Sequence, residues 1–400
     1  MLDPSKTRAV NRSIAAGYDA VPYDPSSQAF LDPEFLFGIG ALYGCAAKSR
    51  ENSDVLDLGC GGGVLLERVA ARTRGRVVGV DISPAACERA RARLGRRARI
   101  ICDDALDVSA RDLGQFDIIY NLGVLFIVPP TVRARLLEII GACLRPQGVA
   151  VVSYYAGQFA RMSEQVNAAL RASTDPQDPP PVRIAAARAR LAALTNDFPE
   201  GGDERRWMMF ALEHAKAADD VIFFHEALNH EFHALETPQI NGELKTLGAS
   251  FLTYVDRPFL TGRNSERRTA AAAEFDRHSG GYRYAVFGRP SVEQGPDPRT
   301  KLVTWSTTLV RAGFGKMYAG PCDYHEPTTG RALTIERVET QAALDELAHS
   351  PRNFEQASSA ARRRLAAAGV ARGKEVSAEP AADFISLWNE GFLTPSAGGR

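Results

Sequence analysis

The sequence predicts an α/β protein whose first part is a doubly wound, parallel sheet. Three observations carry that expectation. Apolar runs of strand length at Val55–Leu58, Val77–Val80, Ala98–Cys102, Phe116–Asn121 and Val149–Tyr154 are separated by longer segments, several of helical pattern, the alternation from which parallel sheets are built. The first run stops at glycines, Gly59, Gly61, Gly62 and Gly63, and an amphipathic segment, Val64–Ala71, follows at once. The second run ends in an acid, Asp81, at the strand tip where nucleotide-binding sheets offer a carboxylate to ribose hydroxyls.

Each element has a local reason. Ahead of the sheet lies an aromatic, proline-punctuated stretch, Tyr18–Pro25 (YDAVPYDP), and then a helix expected over Asp32–Ala47, with Asp32 as its cap and Pro33 in its first position. The glycines after the first strand allow a sharp turn and close approach of a ligand. The helix that starts there offers N–H groups to an anion. Pro84–Gly95 reads as a helix capped by Ser83, and the third strand ends in Asp103, Asp104 and Ala105. The fourth ends at Asn121, Leu122 and Gly123. Pro129 and Pro130 close the next loop, and Val132–Leu144 is a helix with Leu136, Leu137, Ile140 and Leu144 spaced for burial. Gln147-Gly148 turns into the fifth strand.

From Ala156 the rhythm changes. Arg161–Ala172 and Val182–Leu194 read as helices around the proline-rich loop Asp175–Pro181, and a long helical stretch is expected over Asp203–Leu228. Three histidines then fall together, His225, His230 and His233. The zinc-protease pattern H-E-x-x-H sets two histidines one helical turn apart. Here His230 stands five residues after His225, so the faces do not match, and no metal site is expected. Gln239–Tyr254 reads as helical then extended with Gly248 as a cap, and Gly280–Pro290 alternates like a strand. Further on, Glu339–Ala348, Phe354–Ala367 and Ala381–Trp388 read as helices before a short extended piece, an order compatible with a winged-helix-like module.

Composition excludes some classes. The chain has 400 residues, with 48 Lys and Arg against 48 Asp and Glu, so no global field recruits nucleic acid or an anionic membrane. No strong basic face argues for DNA binding in the last module. Met1–Tyr18 lacks the apolar run of a secretory signal, and Phe35–Ala47 is too short to span a bilayer. Six cysteines form no C-x-x-C pair, so neither a zinc site nor a disulfide framework is indicated. The expected compartment is the cytoplasm.

Two ligands suit a glycine turn followed by a strand-end acid. The dinucleotide fingerprint G-x-G-x-x-G fails, because counting from Gly59 its last position is Val64. The spacing present is Asp57-x-Gly59-x-Gly61-x-Gly63. It resembles the first motif of class I S-adenosylmethionine (SAM) methyltransferases, and Asp81 sits where that family keeps its ribose-binding acid. Other stretches extend the likeness: Tyr18-Asp19 with Val21-Pro22-Tyr23, Gly79–Ser83, Gly114–Asp117, Gly123-Val124 before Val128-Pro129-Pro130, and Val152–Tyr154. Downstream, Phe224-His225-Glu226 with Leu228, then Leu247-Gly248, look like a helical methyltransferase regulatory domain. The whole is similar to bacterial methyltransferases that join these two parts, a group that includes rickettsial-type protein-lysine methyltransferases.

The resemblance implies a Rossmann-like SAM domain with an N-terminal cap over residues 1–157, a helical regulatory-type domain over 158–295 and the winged-helix-like module over 296–400. It implies SAM as cofactor and S-adenosylhomocysteine as product. Cofactor contacts are expected from Asp57, Gly59, Gly61, Gly63, Asp81, Ile82 and Asn121, with Asp104, or alternatively Asp103, beside Ala105 at the adenine. An N-terminal extension before such a sheet commonly folds over the ligand mouth, so Tyr18 and Tyr23 either line the pocket or pack the helix on the sheet. The expected catalytic set is Tyr18, Tyr23, Asn121 and His225, with Asn121 positioning the methyl group and the others shaping or deprotonating the acceptor. His225 has a structural reading as well.

The sequence departs from the family pattern around the acceptor. Leu122, Leu125 and Ile127 stand where members carry a His and aromatics, and Tyr155 replaces an Asn after Ser153-Tyr154. The first reading is methyl transfer to a side-chain nitrogen or oxygen of a protein or peptide, because the later domains are large for gripping a metabolite. A small-molecule N- or O-methyltransferase of specialised, natural-product metabolism is the second reading, and a SAM-binding sensor or scaffold without transfer the third. Nucleic acid and membrane are not expected partners, and a homodimer is compatible with this chain.

Overall fold

The computed structural model describes residues 4–25, 31–45, 50–194, 202–228, 231–255, 264–300, 303–307, 309–311, 322–325, 327, 331–367, 381–389 and 393–397. Helices α1 (Pro4–Ala20) and α2 (Pro33–Leu42) precede the sheet. Strand and helix then alternate: β1 (Val55–Leu58), α3 (Val64–Ala70), β2 (Val77–Asp81), α4 (Pro84–Leu94), β3 (Arg99–Cys102), α5 (Ala110–Leu113), β4 (Phe116–Asn121), α6 (Pro130–Cys143) and β5 (Leu144–Ala156). Helices α7 (Gly157–Arg171), α8 (Pro180–Leu194), α9 (Gly202–Ala217), α10 (Asp220–Ala227) and α11 (Thr237–Thr246) follow. The chain then returns to the sheet through β6 (Ser250–Tyr254), α12 (Ser265–Ser279) and β7 (Gly281–Gly288).

The strands form one seven-stranded sheet in the order β3-β2-β1-β4-β5-β7-β6, a class I methyltransferase, Rossmann-like fold. The first five strands are parallel, with Val55 level with Val77 on one side and Ile118 on the other. β7 runs antiparallel to β5, with Val152 opposite Ala285, and β6 antiparallel to β7. The sheet therefore crosses the boundary expected between residues 157 and 158. The helices α7 to α11 leave it after β5, and the strand pattern at Gly281–Gly288 brings the chain back. At the departure point Gly157 has φ +76°, and a Cβ there would sit 2.0 Å from the Asp276 carbonyl oxygen, so only glycine fits where β5 becomes α7.

Successive residues of the central strands face opposite sides, and both sides are covered. Leu56, Leu58, Ile119 and Val152 join Leu136, Ile140 and Val166 in one buried cluster. Val55, Ile118, Tyr120 and Val151 join Leu36, Ile39 and Leu42 of α2 in another. That second cluster continues into the C-terminal module, whose Trp305, Leu344, Phe354 and Phe384 share it. The module carries β8 (Val303–Ser306), β9 (Val310–Arg311), β10 (Cys322–His325), β11 (Ala332–Ile335), α13 (Val338–Leu347), β12 (Arg352–Asn353), α14 (Phe354–Ala367), α15 (Ala381–Asn389) and β13 (Thr394–Ala397). Its strands make two three-stranded sheets, β11-β10-β9 and β12-β8-β13. No described helix is long and apolar enough to cross a membrane.

Element ends differ from expectation for local reasons. α2 stops at Leu42 because Gly44 two residues later turns left-handed, φ +83°; residues 46–47 of the expected helix lie outside the described ones. The stretch Asp203–Leu228 is two helices, because the Asp219 side chain accepts the Ile222 N–H and starts α10 afresh.

A buried polar cluster ties the returning strands down. Arg283 Nε donates to Asp276 Oδ1 at 2.7 Å with both side chains under a tenth exposed, and Tyr254 donates to Asp276 Oδ2 at 2.7 Å. Removing one partner leaves a buried charge unpaired. Arg283→Met is expected to destabilise the fold by about 3–5 kcal/mol, and adding Asp276→Asn should restore part of the loss in chemical denaturation.

Candidate active site

The carboxyl ends of β1, β2 and β4 meet at one edge of the sheet, the edge at which open α/β sheets bind ligands. After β1 the backbone turns left-handed at Gly59, φ +88°, and a Cβ there would lie 2.3 Å from Val124 Cγ2. Asp81 at the tip of β2 holds this turn: its Oδ2 accepts the Gly61 N–H at 2.8 Å and its Oδ1 the Ser83 N–H at 2.9 Å. Burial pushes the Asp81 carboxyl upward against the pull of these N–H groups. The Gly62 N–H, expected to meet an anion, meets one from its own chain, Asp24 Oδ1 at 3.1 Å.

The N-terminal helix lies over the strand tips. Arg8 makes a double hydrogen bond to Asp107 at 2.6 and 2.8 Å, and Asn11 Nδ2 donates to Asp104 Oδ2 at 2.7 Å. Ser83 caps α4 by accepting the Ala86 N–H and donates to Asp19 Oδ1 at 2.5 Å. Tyr18, next to Asp19, is thereby set over the sheet edge.

A cavity of about 540 Å³ opens here. At one end it is lined by Asp57, Gly59, Gly61, Asp81 and Ile82, with Asp103, Asp104 and Ala105 beside them. It continues to an aromatic end formed by Tyr18, Tyr23, Phe126, Tyr155, Tyr282 and Tyr284, with His214, His225 and Glu226. Two expected site residues do not line it. Gly63 caps α3, and its missing Cβ makes room for Ala90 and Leu94 of α4. Asn121 is fully buried and donates from Nδ2 to the Leu58 carbonyl at 2.8 Å, so it ties β4 to β1 behind the cavity wall.

His225 stacks on Tyr18 with ring centroids 4.1 Å apart and 10° between planes. Its Nε2 donates to the Val21 carbonyl at 2.7 Å, which places the proton on Nε2, and burial holds the ring neutral by lowering its pKa. His230 lies outside the described residues. His233 pairs with Glu231 at 2.7 Å, and its backbone N–H holds the Phe126 carbonyl. Among the described residues no group of three or more His, Cys, Asp or Glu is placed to hold a metal ion.

Comparison with known proteins agrees with this geometry. Residues 55–148 match the family model described as a methyltransferase domain. Two uncharacterized proteins of Rickettsia prowazekii are each 31% identical to the chain, one over 150 residues and one over 141. The matches take in 36% and 34% of this chain but 60% and 26% of those proteins, so the chain spans less than two thirds of the relatives it matches. The structure of PKMT2 from Rickettsia typhi aligns with a TM-score of 0.73 at 18% identity, over 94% of this chain and 77% of that one. A structure of the same protein in complex with AdoHcy aligns with a TM-score of 0.72. The fold is thus shared across almost the whole chain.

Among the residues that line this cavity, sequence reasoning missed Asp24, Phe126, His214, Glu226, Tyr282 and Tyr284, while Tyr155 stood out only as a departure from the family pattern near the acceptor. Tyr282 and Tyr284 were within reach, since alternation in β7 sets them on one face and Arg283 on the other. Glu226 and His214 carry no such signal, because only the packing of α9 and α10 brings them to the sheet edge.

The cavity is acidic. Among the described lining residues, Asp24, Asp57, Asp81, Asp103, Asp104 and Glu226 stand against one guanidinium, Arg89, so it suits a cation better than an anion. Asp57 is 3% exposed, and its burial, then the neighbouring Asp81 charge, push its carboxyl up to about 8. Folding therefore takes up a proton at Asp57 between its unfolded pKa near 4 and about 8, and the fold loses stability as pH rises through that window. Asp57→Asn removes the effect. Its stability relative to wild type is expected to rise by up to about 1.4 kcal/mol per pH unit between about pH 4 and 8 and to level off above. Denaturation curves across that range read the gap, and a constant gap would show Asp57 charged in the folded chain throughout.

Proposed function

We propose that the chain binds SAM at the glycine turn and transfers its methyl group to a nitrogen or oxygen on a protein or peptide side chain. The observation that supports this most directly is the single cavity that runs from the turn and Asp81 to the aromatic end. A sulfonium nucleoside at one end and an acceptor at the other share one space. The residues present fit SAM. Gly59 leaves no Cβ in the turn, the Asp81 carboxylate stands at the strand tip, and Asp103 and Asp104 follow the next strand. The cavity's acidity suits a ligand that carries a sulfonium and an ammonium.

Bound SAM supplies an activated methyl group. The chain's own task is to hold donor and acceptor close and aligned and to keep water out, which can lower the barrier by roughly 7–11 kcal/mol. Ile82 and Val124 give the turn apolar walls, while Tyr18, Tyr282 and Phe126 do so for the acceptor end. Asn121 acts behind the wall, fixing the end of β4 on β1. The resemblance to rickettsial-type protein-lysine methyltransferases favours a protein acceptor.

Asp81→Asn is expected to weaken SAM binding by roughly tenfold to a hundredfold in calorimetry, the loss of charge-assisted hydrogen bonds; unchanged affinity would remove the ribose contact. Incubating the chain with methyl-labelled SAM and cell lysate should place label in a protein band. Label confined to the small-molecule fraction would instead mark a metabolite acceptor.

A further inference from the structure

We infer that Glu226, oriented by Tyr155 and His214, is the residue that selects a cationic amine as the methyl acceptor and takes its proton. The inference rests on the methyl-transfer reading above and goes on to the acceptor's chemistry. Glu226 comes from α10 and lines the aromatic end of the cavity. Its Oε2 accepts the Tyr155 hydroxyl at 3.0 Å, and His214 Nε2 stands 3.4 Å from the same oxygen and 3.4 Å from the Tyr155 hydroxyl. Tyr155 is the residue that departs from the family pattern after Ser153-Tyr154, and the structure gives that departure a partner.

Charge and ring chemistry at this end agree. A carboxylate set among tyrosine faces is the arrangement that holds an alkylammonium group, by charge and by cation–π attraction. The one guanidinium among the described lining residues, Arg89, is drawn to Asp24 at 3.5 Å at the glycine turn, so it balances charge there and not at the aromatic end. Among the described lining residues no Lys or Arg other than Arg89 offers a counter-charge to a carboxylate or phosphate acceptor. The groups facing Glu226 are Tyr18 from α1, Tyr23 from the segment after it, Tyr155 from β5, Tyr282 from β7, His214 from α9 and its neighbour His225. Burial pushes all four phenols upward, and it leaves His225 neutral.

The chemistry balances without another reagent. The acceptor ammonium gives one proton to the Glu226 carboxylate. The nitrogen lone pair then forms the C–N bond as the S–CH3 bond breaks and its electron pair returns to sulfur. The product leaves as a methylated ammonium.

The test uses the full chain, saturated with S-adenosylhomocysteine, and three probes of equal length, n-hexylamine, n-hexanol and n-hexanoate, read by ligand-observed NMR titration. Wild type is expected to bind the amine roughly tenfold or more tightly than either other probe. Glu226→Gln should bring amine and alcohol within about threefold of each other while S-adenosylhomocysteine affinity stays unchanged, which also reports that the variant is folded. Tyr155→Phe keeps the carboxylate but loosens it, and should weaken the preference without erasing it. An alcohol or hexanoate that binds as well as the amine overturns the inference, and so does an amine preference that survives in Glu226→Gln. Failure of wild type to bind S-adenosylhomocysteine would instead overturn the methyl-transfer reading beneath it, and the inference with it.

Discussion

The carboxylate of Asp81 is the point on which the site depends. Its two oxygens fix the Gly61 and Ser83 N–H groups, so the glycine turn after β1 and the start of α4 are held by one side chain. Ser83 passes the constraint on by donating to Asp19. Asp19 sets Tyr18, Tyr18 stacks on His225, and His225 reaches back to the Val21 carbonyl. A line of short contacts thus runs from the tip of β2 to the far end of the cavity. The two ends of the cavity are thus linked by contacts within one chain of side chains.

The second constraint is topological. Five parallel strands build the turn and the acids, but they leave the aromatic end of the cavity open. The chain closes it by running through α7 to α11 and returning as β6 and β7. Tyr282 and Tyr284 come from β7, Tyr155 from the end of β5, and His214 and Glu226 from α9 and α10. The returning strands are held by Arg283 on Asp276, on the opposite face from the tyrosines. That buried ion pair ties α12 to β7, while hydrogen bonds such as Tyr155 to Glu226 tie α10 to β5.

This division explains what could be read in the sequence. The turn, Asp81 and the acids after β3 sit in consecutive strand–loop units, so local spacing exposes them. Ser83 as a cap was legible for the same reason. Gly63 and Asn121 belong to the right motif, but motif membership does not say which way a residue faces. Packing does: Gly63 looks at α4, and Asn121 looks at β1. The aromatic end draws residues from five separate elements, and no spacing rule links position 155 to 214 or 226. Tyr18, Tyr23 and His225 were legible through the family resemblance, and Tyr282 and Tyr284 were within reach of period-two alternation. The zinc pattern at His225 failed on spacing alone; His225 instead takes its place through Tyr18 and Val21.

One feature of the scaffold bears on how the protein can be divided. Helix α2 lies between the sheet and the C-terminal module, and Leu36, Ile39 and Leu42 share a single buried cluster with Val55 and Ile118 on one side and Trp305 and Phe384 on the other. A fragment trimmed to the seven-stranded sheet and its helices would carry α2 with its outer flank stripped bare. Such an oily strip invites self-association. The described elements of the C-terminal module act as a buttress for α2.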